Sequence, residues 1–150
     1  YDSSLMGDDF TAYYMREGDR APLDGAYVFG TNIDVVELPV AWGLDDFPLF
    51  EYDIDGSGLA SPSTVEEIWR GDFDFAHGNV PGAIYNLTMH PQVIGRGHRL
   101  AMLERLIGYF KSCDGVAFDT LGGYAEKWRD ANPLDRWLNS GSVHIGAAAG

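Results

Sequence analysis

Ala83-Ile84-Tyr85-Asn86-Leu87-Thr88-Met89-His90-Pro91 is a short apolar run closed by a histidine and a proline, and what flanks it decides the fold. A run of that length and character suits a buried strand, and Pro91, lacking an N–H, ends a ladder there. Upstream stands a helix with a marked start. Ser61 can cap it, Pro62 suits the first helical position, and Glu66 and Glu67 lie in the first turns, where the helix dipole favours anions. Val65, Ile68, Trp69, Phe73 and Ala76 follow on one face at helical spacing, and Gly78 and Pro81 stop the helix. Downstream, a second helix is predicted over about 99–112, burying Leu100, Leu103, Leu106, Ile107 and Phe110. A short strand at 116–118 and a third helix, capped by Thr120 and running to about 129, complete the series.

Further out, residues 33–42 alternate. Val36, Leu38, Val40 and Trp42 fall on one side and Val35, Glu37, Pro39 and Ala41 on the other, a period of two that predicts a strand. Pro39 belongs at an edge or near the end of that strand. The strand runs into Gly43-Leu44-Asp45-Asp46-Phe47-Pro48, which reads as a loop, and residues 1–26 read as loop with room for one short strand. Strand and helix in alternation are the signature of right-handed βαβ crossovers and a parallel sheet, so the fold class is α/β. Three such units do not close a barrel, which takes about eight strands and roughly 250 residues. The expectation is one partial domain over 1–138 and a flexible Gly/Ala-rich tail over 139–150. The open sheet edge would be covered by a missing N-terminal half or by another subunit. The start at Tyr1-Asp2-Ser3-Ser4, with no initiator Met, agrees with a truncated or processed chain.

The charge balance narrows the partners. Ten basic against 23 acidic residues give a net charge of −13, which repels phosphate backbones and anionic lipid heads. Neither nucleic acid nor a membrane surface is an expected partner, and no apolar run is long enough to span a bilayer. The lone Cys113 rules out an intrachain disulfide and is compatible with a reducing, cytoplasmic location.

Chemistry in parallel α/β folds gathers at the C-terminal ends of strands. His90 stands at such an end and titrates near neutrality, so it can give or take a proton in amide or ester hydrolysis; the alternative is a structural histidine bonded to a carbonyl. Asp45 and Asp46 follow the 33–42 strand and are either site carboxylates or solvated surface charge. Asp119-Thr120 reads as a helix cap. Arg96, His98 and Arg99 form a basic cluster suited either to holding a substrate group or to anchoring a loop through ion pairs, the second reading being preferred. Asp53-Ile54-Asp55-Gly56-Ser57-Gly58 hints at a calcium loop, but its twelfth position is Thr64 rather than Glu, so it reads as a turn. His77, His90, His98 and His144 lack zinc-type spacing, and Gly95-Arg96-Gly97 lacks the ending of a phosphate loop. Cys113 reads as packing. Asn86-Leu87-Thr88 matches a glycosylation acceptor but falls in a predicted buried strand.

The stretch Leu87-Thr88-Met89-His90-Pro91-Gln92-Val93-Ile94-Gly95-Arg96-Gly97-His98-Arg99 resembles the last conserved motif of the polysaccharide deacetylase (NodB-like) family. The likeness continues through the following helix and Val116-Ala117-Phe118-Asp119-Thr120. Upstream, Tyr1-Asp2-Ser3-Ser4-Leu5-Met6-Gly7-Asp8-Asp9 and Val36-Glu37-Leu38-Pro39-Val40-Ala41-Trp42 with Asp45-Asp46-Phe47-Pro48 are similar to the branch of peptidoglycan-deacetylase-like, allantoinase-like and cyclic imide hydrolase proteins. The match covers about residues 1–130, and one departure is Gly97, where the family pattern has proline.

The resemblance implies the C-terminal portion of a distorted TIM-like barrel that hydrolyses a carbon–nitrogen bond other than a peptide bond. In the family's metal-dependent members one Asp and two His hold a divalent ion such as zinc, and a second Asp is the base. Those residues belong to the N-terminal half, so no cofactor or metal ligand is expected within this chain. His90 takes the place of the general acid or oxyanion stabiliser. Asp45 and Asp46 would shape the pocket or orient the imidazole, Trp42 would form an apolar wall, and Arg96 would contact substrate. The substrate would be a small-molecule or saccharide amide, linear or cyclic. The competing reading is a non-catalytic half-barrel that binds or assembles with another chain.

Overall fold

Ser61 caps helix α2 (Pro62–Asn79) as its sequence requires: its hydroxyl accepts the Thr64 N–H at 3.3 Å, and Pro62 occupies the first turn. The computed structural model describes residues 1–51 and 58–140, so the 53–58 turn lies almost wholly outside the described residues, as do His144 and the tail from 141 on. Among the described residues two strands are formed, β1 (Tyr13–Glu17) and β2 (Thr31–Glu37). A 3₁₀ turn, η1 (Trp42–Leu44), leads into the short helix α1 (Asp46–Phe50). After α2 come α3 (Pro91–Ile94), α4 (Gly97–Ser112), α5 (Leu121–Ala131) and α6 (Leu134–Asn139). The architecture is mixed α/β. No helix among the described residues is long and apolar enough to cross a membrane.

The chain packs as two compact units. Among the described residues, one comprises Tyr1–Ser3, Ala12–Leu38 and the chain from Asp119 to Ser140; the other comprises Ser4–Thr11 and the described part of Pro39–Phe118. In the first, β1 and β2 pair antiparallel with Tyr14 opposite Val36, and a bulge lies between Tyr14 and Arg16. Asp2 adds a parallel rung against Glu37. Gly30 approaches the Glu17 carbonyl so closely that a Cβ would lie 1.8 Å from its oxygen, and its N–H is held by Asp19 at 2.6 Å. Tyr14 is buried, with the rings of Trp128 and Trp137 at 5.1 and 5.4 Å.

The second unit carries the larger core. Trp69, Phe73 and Val65 of α2 meet Met102, Leu106 and Phe110 of α4, together with Phe50, Val93 and Ile94. Val65, Trp69, Phe73 and Ala76 are buried as expected, but Ile68 is 37% exposed. On α4 the expected face is rotated. Arg99, Met102, Leu106 and Phe110 face inward, while Leu100 and Ile107 are 47% and 38% exposed. The stripe i, i+3, i+7, i+11 is a sound helical face; an arginine and a methionine occupy it where leucines were expected.

The parallel βαβ sheet does not form among the described residues; the one ladder is antiparallel. Residues 83–89 are extended but make isolated rungs: Thr88 N–H donates to the Leu44 carbonyl at 2.9 Å, Asp46 N–H to the Thr88 carbonyl at 3.1 Å, and Ile84 N–H to the Phe10 carbonyl at 2.9 Å. A ladder needs an extended neighbour over several residues. The chain beside Thr88 arrives from η1 and turns into α1 after one rung, and residues 116–118 gain no ladder at all. Strand β2 likewise ends at Glu37, with Pro39 just beyond it, as a residue without an N–H should be placed. The loop read at 43–48 contains α1, because Asp45 caps it through a 2.8 Å bond from the Phe47 N–H.

Candidate active site

The single parallel rung between Asp45 and Thr88 sets the register of two turns against each other. On one side the chain leaves Leu44 and enters α1 with Asp45 as cap and Asp46 as first residue. On the other it leaves Thr88 and enters α3 with His90 at the N-cap and Pro91 in the first turn. Gly95 closes α3 tightly, since a Cβ there would lie 2.3 Å from the Pro91 carbonyl oxygen. His90 and Asp46 are thus presented to each other by the starts of two short helices.

Asp46 is completely buried, and its carboxylate is engaged by His90 twice. The His90 backbone N–H donates to Oδ2 at 2.9 Å, and the ring Nδ1 lies 2.7 Å from Oδ1. With Nδ1–H donating to the carboxylate, Nε2 is the ring position left to carry or release a proton. The imidazole side chain is 38% exposed, so a partner from outside can reach it. Asp45 Oδ1 lies 3.7 Å from Nδ1, and the Phe47 ring meets the imidazole edge-on at 5.7 Å and 63°. The hydrogen bond donated to Asp46, more than the through-space charge of Asp46 and Asp45, holds the imidazole above its ordinary proton affinity against the opposing cost of desolvation.

Asp45, Asp46 and His90 bring three metal-ligating side chains within 4.8 Å, the one such group among the described residues. They do not fit as an ion cage. The 2.7 Å contact is a hydrogen bond, and it commits to each other the Nδ1 and the carboxylate oxygen that an ion would need. In this geometry the group is an oriented imidazole.

Of the residues singled out in the sequence, His90, Asp45 and Asp46 come together. Trp42, 67% exposed, opens η1, and its carbonyl accepts the Asp45 N–H at 3.4 Å. Arg96 is exposed at the N-cap of α4. No hydrogen bond or ion pair joins either side chain to the trio among the described residues. Arg99 takes the anchoring role: it is buried and donates through Nη1 to Glu51 Oε1 at 2.9 Å and to the Val93 carbonyl at 2.8 Å, and through Nη2 to the Phe50 carbonyl at 3.0 Å. Thr120 caps α5 through a 3.1 Å bond from Gly123 N–H, and Cys113 packs against the core cluster. Sequence reading missed Phe47, whose signal was its place directly after two acidic residues in a loop. A separate groove of about 400 Å³, lined among others by Met6, Asp8, Asp9, Phe10 and Phe75, shares no residue with the trio. The acid–base geometry lies at the trio.

No protein-family model matches the chain. Over 146 residues the chain is 32% identical to the peptidoglycan deacetylase of Helicobacter pylori, an alignment covering 89% of this chain and 50% of that relative. A peptidoglycan deacetylase-like protein of Gibberella zeae is 26% identical over 132 residues, covering 74% of this chain and 38% of the relative. Among solved structures, a protein described as a polysaccharide deacetylase from Mycobacterium smegmatis matches with a TM-score of 0.66 and 31% identity over 87% of this chain and 41% of its own. An allantoinase matches with a TM-score of 0.64 at 21% identity, over 89% of this chain and 39% of its own, which bears on the fold alone. The chain spans about half the length of the curated relatives it matches, or less.

Proposed function

The chain belongs to the polysaccharide deacetylase (NodB-like) family, and from that premise we propose that the complete protein hydrolyses a carbon–nitrogen bond other than a peptide bond, with His90 as its general acid. The observation that carries the reading is the 2.7 Å contact between His90 Nδ1 and the buried Asp46, which fixes the ring and leaves Nε2 outside that bond, on a side chain that is 38% exposed. When water adds to the amide carbonyl and the carbon–nitrogen bond breaks, the departing nitrogen takes the Nε2 proton and leaves as a neutral amine. Asp46 accepts the Nδ1–H and steadies the imidazolium before transfer. Asp45, Trp42 and Arg96 border this site in the reading, Trp42 as an apolar wall and Arg96 as a substrate contact.

The barrel is completed by residues beyond this chain, which the 50% coverage of the H. pylori relative supports. We place any divalent ion, and the base that activates water, in that other part. The 150-residue chain by itself is therefore expected to be inactive, and robust turnover by it alone would refute this assignment. The substrate we favour is the N-acetyl group of an amino-sugar polymer, as the names of the two curated relatives suggest. The test is acetate release from N-acetylated glycan by the full-length protein, measured beside ring opening of a cyclic amide. Acetate release lost in His90→Ala supports the reading. Ring opening alone moves the substrate to cyclic amides, and no hydrolysis of either leaves a binding or assembly module.

A further inference from the structure

We propose that Asp45 is a second positioning residue for His90, its carboxylate pinned by capping α1 and thereby held at a fixed distance from the imidazole. Two neighbouring acidic residues would ordinarily splay apart, one of them free to rotate in solvent. Here neither is free. Asp46 is buried against His90, while Oδ1 of Asp45 accepts the Phe47 N–H at 2.8 Å and lies 3.7 Å from His90 Nδ1. The backbone of Asp45 is fixed as well, by its N–H to the Trp42 carbonyl and by the rung to Thr88. The cap thus does two things with one oxygen: it starts the helix that delivers Asp46, and it sets a negative charge beside the ring without competing for the Nδ1 proton. At 3.7 Å a fixed charge acts through space even near solvent, though salt weakens it.

The charged groups that face His90 are Asp46 and Asp45, both from the turn into α1, with the Phe47 ring edge beside them. Its own helix, α3, carries no ionisable residue, and Arg96 and His98 at the start of α4 are exposed and make no ion pair with it. Removing the charge of Asp45 should therefore lower the ring's proton affinity while leaving its hydrogen bond to Asp46 in place. The consequence for catalysis rests on the general-acid reading, but the positioning itself does not.

Asparagine caps a helix about as well as aspartate and carries no charge, so it separates the two roles. The experiment is an NMR titration of histidine imidazoles, labelled with ¹³C, in the full-length protein, with the His90 signal assigned by its loss in His90→Gln. Asp45→Asn should weaken proton binding at His90 about threefold with the melting temperature unchanged. Asp45→Ala should give the same titration shift together with a lower melting temperature, and Asp45→Ser, a neutral cap, should follow Asp45→Asn. A His90 titration in Asp45→Asn that coincides with wild type overturns the proposal. So does a shift seen in Asp45→Ala alone, because the cap and not the charge would then carry it. The titration is read with or without turnover, so a protein that hydrolyses nothing still decides this point.

Discussion

The two ends of α1 each meet the 90–99 segment through a carboxylate and a cation-forming side chain, and they are built in opposite senses. At the start, a fully buried carboxylate, Asp46, holds an imidazole that is 38% exposed. At the end, an arginine side chain that is 10% exposed, Arg99, is held by a carboxylate that is 35% exposed, Glu51, and by two carbonyls. Burying the carboxylate leaves the exchangeable partner at the surface, where a proton can be passed. Burying the guanidinium, which does not lose its proton in proteins, produces a fixed joint between α1, α3 and α4. The first end has the form of a reactive group, the second that of a clamp.

The largest effect should come from the reactive end. His90→Ala in the full-length protein should lower turnover per folded molecule about 100-fold or more. An unchanged rate would make both ends structural. At the other end the effects should be reversed. Arg99→Met should cost about 2 kcal/mol in urea unfolding, because two carbonyls and Glu51 lose their donor, while activity per folded molecule changes little. A large loss of activity without loss of stability would move Arg99 into the site.

A third test uses pH. His90 has its proton affinity raised by Asp46 in the folded state, above the ordinary value near 6.5. The stabilisation from that pair is fully present below the ordinary value and is lost as pH rises through the raised folded value. Wild type should therefore lose stability relative to His90→Gln across that window, read by urea unfolding at a series of pH values. The smallest expected effect lies between the two ends. Gly97 is the first residue of α4, a Cβ there meets nothing within 4 Å, and Arg96 is already extended at φ −88° and ψ 137°, as a residue before proline must be. Gly97→Pro should raise stability by about 0.5–1 kcal/mol, read by thermal melting, and leave His90-dependent turnover intact.

How much of this the sequence disclosed depends on how local the cause is. The start of α2 was readable because Ser61 and Pro62 act within one turn, and Thr120 likewise marked α5. The inward face of α4 was not, because burial of Arg99 depends on Glu51, Phe50 and Val93 from distant segments, and that rotates Leu100 outward. His90 was readable as the polar end of an apolar run. Its pairing with Asp46, across 44 residues of chain, has no signature in spacing, and the family resemblance suggested it. The parallel sheet was over-read for a related reason. An apolar run specifies an extended backbone, but a ladder also needs a neighbour, and beside Thr88 the neighbour bends away into α1 after one rung.

Asp46 tunes and aims His90 as the proton donor in the proposed reaction. The most direct test is the pH–rate profile of amide hydrolysis by the full-length protein, compared between wild type and Asp46→Asn. If His90 donates the proton, the falling limb at high pH belongs to its imidazolium and should move to lower pH in Asp46→Asn, with a lower maximum. A limb that stays in place while activity persists would mean that His90 is not the proton donor.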